Sequence, residues 1–484
     1  MAIAISEEHL ALEQTARRFV ASRCPPAVPR AVLETEAEEL PPFWTELAGL
    51  GWLGLHLPEA AGGQGYGLAE LAVVVEELGR AVAPGPFVPT VLAAAAIAAG
   101  GGADDLLARI ASGAAVATVA LSGSELAGSG DTVSGTVGPL LCGTLADLIV
   151  APARWDGDER WCVVERSGWA ATAVPSLDPT RRLSTVAIEG ARARVLPALT
   201  PGRVDALAAA VFAAECAGGA GWCLDTAAEY AKVRHQFGRP IGQFQAVKHK
   251  CSDMLVATEQ ARSVAWDAAA AVDGAALPSE AELAAFVAGA LAPDVFVRVA
   301  KDCIQILGGI GFTWEHDAHL YLRRATSVRQ LLGNGSSWRR RVAAAALAGA
   351  RRTLQVELPP EAERFRTEVR AFAESVAGLT REEQRAGIVD AGYFVPHWAP
   401  PWGRSAGAVE QLVIDEELAR AKLRRPNIAV GAWAAPTIAA HGTVAQQERW
   451  VRPTLVGEIT WCQLFSEPGA GSDLAALTTT GTRT

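Results

Sequence analysis

The chain has 484 residues, half of them hydrophobic, with 47 glycines and a formal net charge of −10. That length carries two or more domains with ample core. The acidic balance excludes nucleic acid and anionic membrane surfaces as general partners, so an anionic ligand needs a local basic cluster such as Arg234/Arg239 or Arg323/Arg324.

Residues 1–110 read as a helical domain. Leu12, Ala16, Phe19 and Val20 share one helical face. Glu7, Glu8 and His9 stand where a secretory signal needs an apolar run, so no signal is expected. Residues 51–67 read as a Pro- and Gly-punctuated loop, followed by a helix with Leu71, Val74, Val75 and Leu78 on one side. Gly63, Gly65 and Gly67 read as turn chemistry: no apolar strand precedes them and the spacing is not that of a dinucleotide loop.

Residues 111–200 change character. Val116–Leu121, Leu148–Ala151, Trp161–Val164 and Thr185–Ile188 are short apolar runs between Gly, Asp, Ser and Pro, the pattern of a small β domain. Residues 201–352 return to long Ala-rich helices, the make-up of a four-helix bundle. Within them, the apolar stretch Leu207–Leu224 contains Glu215 and many small residues, which points to a buried helix, and no membrane span is expected. Eight cysteines without a CxxC pair or a metal-ligand array predict reduced core thiols, a cytoplasmic setting and no metal.

After Glu357 and Leu358, Pro359 and Pro360 mark a boundary, and the chain starts again. EELGRA at 76–81 matches EELARA at 416–421, an offset of 340 that Glu70 and Glu410 share. GWLGLHLPE (51–59) parallels GYFVPHWAP (392–400). Order and spacing favour a duplication. Residues 353–456 then form a second helical domain, and 457–484 begin a second β domain that looks cut short. There Trp461–Phe465 is predicted as a strand. Ser466–Asp473 is predicted as a tight loop with Pro468, whose glycines Gly469 and Gly471 let backbone N–H groups approach a ligand. The expected class is mainly α with a small β domain (α+β).

Tyr230 to Met254 is the most informative stretch. It reads as a helix stopped by Gly238 and Pro240, a loop, and a second helix from near Gln243 with Phe244, Val247, Cys251 and Met254 on one face. The loop holds Arg234, His235, Gln236, Phe237 and Arg239, which suit a large anionic ligand with a planar part. On spacing alone, a solvated basic turn is the favoured reading.

Arg-x-Gln-Phe-Gly-x-Pro-Ile-x-x-Phe-Gln resembles the loop of the acyl-CoA dehydrogenase family. Gln305–Phe312, with Gly308 and Gly309, and the LRRA run from Leu322 resemble its second signature. SEPGAGSD, from Ser466, is similar to its flavin-bordering loop. The resemblance covers nearly the whole chain and is nearest to the two-part enzymes of actinobacterial steroid side-chain breakdown, built from one catalytic and one degenerate half. It implies an FAD-dependent α,β-dehydrogenation of an acyl-CoA, an electron-transfer flavoprotein or similar acceptor, and a homo-oligomer or pseudo-heterotetramer. It also implies that Arg234, Gln236, Phe237, Gln305, Gly308 and Gly309 hold the adenosine and pyrophosphate side of FAD. Ser466, Gly471 and Ser472 would border the flavin ring.

The same resemblance exposes what is missing. With Gly113 matched to Gly457, Ser122 falls at Ser466. Gly123, Ser124, Glu125 and Leu126 then stand where the second copy has Glu467, Pro468, Gly469 and Ala470, so the first copy has lost the flavin-ring loop. The family's two positions for the catalytic base fall at Leu332 and Ala208. Asp205, one helical turn from Ala208, reads as a solvated carboxylate in a first turn rather than a base. Glu467 is structural in the family's loop. The catalytic base is therefore unassigned. Two other readings stand beside dehydrogenation: a non-catalytic partner that is inactive alone, and an acyl-CoA oxidase or flavin monooxygenase of the same fold.

Overall fold

The computed structural model describes residues 6–274, 277–352, 358–425 and 427–483. Of the boundary residues named above, Glu357 lies outside the described ones. Internal contacts divide the chain into two units, residues 1–356 and 357–484.

Unit 1 begins with α1 (Glu7–Arg23), α2 (Ala27–Ala31), α3 (Trp44–Gly49), α4 (Leu68–Arg80), α5 (Phe87–Gly100) and α6 (Asp104–Ala111). Ser6 and His9 close a capping box at the start of α1, which satisfies two otherwise orphaned N–H groups. Leu71, Val74, Val75 and Leu78 of α4 are all buried, as their spacing predicts. Residues 51–67 are not simple loop: Trp52–Gly54 and Glu59–Ala61 form short 3-10 turns. Gly63 N donates to Pro58 O and Gly65 N to Leu57 O, so those amides serve local turns rather than a phosphate.

The strands are β1 (Ala117–Val119), β2 (Ser124–Ser129), β3 (Thr132–Leu141), β4 (Leu148–Trp155), β5 (Asp158–Glu165), β6 (Trp169–Val174) and β7 (Leu183–Val195). β4, β2, β3, β7 and β5 pair in turn, and β5 pairs back to β4, which closes a small barrel. β1 adds to β4 in parallel, and β6 adds to β7. Side-chain alternation then sorts β4 and β5. Ile149, Ala151, Ala153, Cys162 and Val164 fill the barrel, while Leu148, Val150, Trp161 and Val163 face the helical core. Burial on both faces is why these segments are continuous apolar runs.

Next come α7 (Pro201–Val233), the short strands β8 (His235–Gln236) and β9 (Arg239–Pro240), α8 (Gln245–Asp273), α9 (Pro278–Leu307), α10 (Ala318–Leu332) and α11 (Gly335–Leu347). The bundle is therefore three long helices, with a fourth position split into α10 and α11 at Gly333–Asn334; both halves pack on α9. Asn334 caps α11 through Ser337 N, which favours the break there. By length and composition alone α7 and α9 could cross a membrane, but 89% and 67% of their apolar windows are buried inside the protein. Pairing of those faces with other helices accounts for their composition. α7 lies very close to α4. A Cβ on Gly218 would stand 1.8 Å from Glu76 O, and one on Gly79 would stand 2.5 Å from Glu215 O. Only residues without side chains permit that approach.

Unit 2 comprises α12 (Ala362–Val376), α13 (Arg381–Asp390), α14 (Ala408–Arg420), α15 (Gly431–His441) and α16 (Val444–Val456) around a core that includes Val369, Ile388, Phe394, Ile414, Leu418 and Leu455. α14 repeats α4 in detail. Both have 13 residues, and each end is displaced by the same 340 positions. Arg17 of α1 grips the buried Glu77 through Nε (3.2 Å) and Nη2 (2.8 Å). Arg370 of α12 grips the buried Glu417 through the same two nitrogens, at 2.9 and 3.1 Å. Gly51 and Gly392, which open the two parallel loop segments, both take left-handed φ, 73° and 74°.

Trp461–Phe465 is not a strand. Strand geometry needs a paired edge, and unit 2 offers none among its described residues. Leu464 and Phe465 are exposed.

Candidate active site and cofactor-binding loops

The basic loop is a β-hairpin. α7 ends at Val233, five residues before Gly238, so neither Gly238 nor Pro240 is the stop; Arg234 already takes extended backbone. Phe237 (φ 53°) and Gly238 (φ 76°) form a two-residue turn, both with left-handed φ. Ile241 N closes the hairpin base by donating to Arg234 O at 2.8 Å. The turn holds Phe237 out with 91% of its surface exposed. Arg239 stacks over Phe244, 4.3 Å from the ring centroid, and is itself exposed. Arg234, His235 and Gln236 are exposed.

Lys250 of α8 bonds Asp302 of α9 at 2.5 Å, which brings the end of α9 beside the start of α8. Gln305, Gly308 and Gly309 therefore sit at the hairpin's end of the bundle. Gly308 has φ 64°, and a Cβ on either glycine would meet open space, so what these glycines spare is access from outside. Exposed guanidinium, amide and ring groups beside bare backbone fit a planar, anionic ligand such as the adenosine diphosphate part of FAD.

The two positions where the family resemblance would put a base are apolar. Ala208 is buried in α7, and the half-buried Leu332 ends α10. Asp205 accepts from Arg341 Nη1 at 2.6 Å, which ties it to α11 as an ion pair.

A charge cluster that local sequence reading missed lies nearby. Glu215 accepts from Arg181 through two bonds of 3.0 and 2.9 Å and from Arg324 Nη1 at 2.6 Å. Arg324 also donates to Asp178, to Thr180 Oγ1 at 2.6 Å and to Ala83 O at 3.2 Å. Asp178 accepts in addition from Thr180 N at 3.0 Å. All five side chains are buried. Burial pushes the Glu215 carboxyl up, but Arg181 and Arg324 outweigh it and hold it below the ordinary carboxylate range. Arg324 is therefore no anion site; its donors are spent inside the fold. Arg323, its neighbour, stacks over Trp314 at 5.2 Å. Asp178 and Arg181 line a cavity of about 320 Å³ that Ser122 and Leu331 also border. Asp178 is the acidic group of that lining, and its bonds to Arg324 and Thr180 disqualify it as a free base.

In unit 2, Glu467 and Ala470 exchange two backbone bonds of 3.0 Å across Pro468–Gly469. The Glu467 carboxylate accepts from Thr478 N at 2.8 Å, Thr479 N at 2.7 Å and both threonine hydroxyls. Those bonds pull its pKa down to about 2. Ser466, Gly471 and Ser472 are exposed around this turn. Glu467→Ala is expected to speed hydrogen exchange at Thr478 and Thr479 several-fold while unit 2 keeps its helical signal; NMR exchange measures it.

The family model for the acyl-CoA dehydrogenase C-terminal domain matches residues 206–347. The model for the acyl-CoA dehydrogenase N-terminal domain matches twice, at residues 6–114 and 347–458. Acyl-CoA dehydrogenase FadE34 of Mycobacterium tuberculosis is 45% identical over 93% of this chain, and the chain spans 62% of that relative's length. Acyl-CoA dehydrogenase IpdE2 of Mycolicibacterium smegmatis is 37% identical over 68% of this chain and 96% of its own. Among solved structures, a Tcur3481-Tcur3483 steroid ACAD variant superposes with TM-score 0.66 at 31% identity, covering 72% of this chain and 99% of its own. The ChsE4-ChsE5 complex from Mycobacterium tuberculosis gives TM-score 0.66 at 28% identity, covering 72% of this chain and 100% of its own. With its helical domain, β-barrel and bundle in that order, the chain belongs to the acyl-CoA dehydrogenase family.

Proposed function

We propose that the whole protein is an FAD-dependent enzyme for α,β-dehydrogenation of an acyl-CoA, and that residues 1–352 are its non-dehydrogenating half. Removing the α-proton needs a carboxylate beside the α-carbon. The observation that carries the reading is its absence: Leu332 and Ala208 hold the two base positions, and Asp178 and Glu215 are locked to arginines. When bound, FAD takes the hydride that leaves the β-carbon. Arg234, Gln236 and Phe237, with Gln305, Gly308 and Gly309, would hold its adenosine and pyrophosphate. Ser466, Gly471 and Ser472 would border the ring. Two parallel arginine clamps and matched helices support a duplication in which the first copy, residues 1–352, kept the adenosine-side loop and the second kept the flavin-side loop.

The steroid-related relatives support a bulky acyl group as substrate, a pseudo-heterotetrameric assembly, an electron-transfer flavoprotein or similar acceptor, and a cytoplasmic setting. A titration against straight-chain and steroid thioesters tests the first. The 484-residue chain alone is expected to hold little FAD and to show no dehydrogenation with an artificial electron acceptor. Stoichiometric flavin absorbance with steady turnover would refute this reading. In a form that does bind FAD, Arg234→Ala is expected to weaken retention roughly tenfold or more, the loss of a charge-assisted phosphate contact. Flavin content after gel filtration measures it, and an unchanged ratio removes the hairpin from the cofactor site.

A further inference from the structure

A groove between α8, α9 and α11 has a volume of about 470 Å³, within the range of ligand pockets. Its walls are aliphatic: Val287, Ala290, Leu291 and Val295 of α9 and Val342 of α11. All but Val295 are only half-buried, so apolar surface stays open to solvent there. The polar lining is Gln260, Asp294, Arg298 and Arg339.

Charge at this groove is unbalanced. Asp294 is the carboxylate of the lining, and it is already engaged. It accepts from Arg329 Nε at 2.5 Å, and Arg339 Nη1 stands 3.7 Å from it. Arg298 lies one helical turn beyond Asp294 on α9 and one turn before Asp302, the spacing at which a helix pairs opposite charges. Lys250 holds Asp302 at 2.5 Å, so both of those acids have other cations. Arg298 is exposed, and it makes no hydrogen bond or ion pair among the described residues. Three guanidiniums therefore face one carboxylate beside an aliphatic wall. A neutral apolar molecule would cover the wall and leave the excess charge unanswered, and a cation would add to that excess. A molecule with an apolar body and one carboxylate answers both, through buried apolar area and a charge-assisted hydrogen bond.

We propose that this groove binds an aliphatic monocarboxylate, its chain against Val287, Leu291 and Val342 and its carboxylate on Arg298. The site uses no residue of the adenosine-side loops or of unit 2, so it stands or falls separately from the dehydrogenase reading.

The test is isothermal titration calorimetry of the full chain with decanoate, kept below its micelle concentration, against decanol and butyrate. Decanol has the chain without the charge, and butyrate has the charge with little chain. Saturable binding of one decanoate per chain is expected, with both controls about tenfold weaker or more. Arg298→Gln, an exposed change that removes the cation, should bring decanoate to the affinity of decanol. Arg340→Gln removes an exposed arginine outside the groove lining and should leave decanoate binding unchanged. Ala290→Phe fills the groove and should abolish binding, with circular dichroism reporting that the variant is folded. Unsaturable binding, equal affinity for decanoate and decanol, or the same affinity in Arg298→Gln as in the unaltered chain overturns the proposal. The comparison of the three probes on the unaltered chain decides the matter even where the filled variant fails to fold.

Discussion

Arg324→Ala is expected to destabilise unit 1 by about 3–5 kcal/mol, the usual cost of breaking a buried ion pair by removing one partner. The side chain is 1% exposed and bonds Asp178, Glu215, Thr180 and the Ala83 carbonyl. Alanine leaves two carboxylates facing each other with Arg181 as the remaining cation and opens a hole as well. Urea unfolding followed by tryptophan fluorescence measures the shift. The same cluster sets a pH dependence. The Glu215 pKa is lowered in the folded state, so its contribution is complete above the unfolded value. That contribution is lost as pH falls through the folded value, so wild type should weaken on acidification below the ordinary carboxylate range. Glu215→Gln should flatten that loss. A wild-type melting temperature that stays level between neutral pH and strong acid would contradict the assignment.

The second large effect is expected at Gly218. An alanine Cβ would fall 1.8 Å from Glu76 O and 2.9 Å from Arg80 N, and backbone cannot swing aside as a side chain can. α4 and α7 must separate, at a cost of about 1–3 kcal/mol or more. Gly79→Ala, facing Glu215 O at 2.5 Å, should cost a comparable amount. Gly49→Ala is the control: it lies in helix α3 with nothing within 4 Å of the added carbon, and it should be neutral or stabilising. Thermal unfolding of the three variants gives the order directly.

What could be read in the sequence follows from how local each signal is. β4 and β5 were legible because burial on both faces makes Leu148–Ala151 and Trp161–Val164 unbroken apolar runs. β2 and β6 were not read, because Ser124–Ser129 and Trp169–Val174 are only partly buried and mix small and polar residues. β3 hid its apolar positions among Gly135, Gly138 and Pro139. The Trp461–Phe465 strand was read from composition, which is blind to whether a partner edge exists. The hairpin shows itself by its residue types, but its turn does not: Gly238 reads as a helix stop, while the structure makes it the second turn residue. The charge cluster was invisible as a unit. In sequence Arg324 reads as a possible anion contact and Glu215 as an argument against a membrane span. Their partners lie 109 and 34 residues away in sequence, beyond any local pattern. The missing base was legible only through the family resemblance, since nothing about a leucine at 332 or an alanine at 208 is unusual in a helix.

The twin clamps Arg17–Glu77 and Arg370–Glu417 carry a consequence for how this gene product can be handled. Each is wholly owned by its own unit, so neither half borrows the other's latch to hold its opening helices together. Severing the polypeptide between residues 352 and 358 should therefore yield two separately expressible pieces, and recombining them from different plasmids is a practical way to mix and exchange front and rear partners.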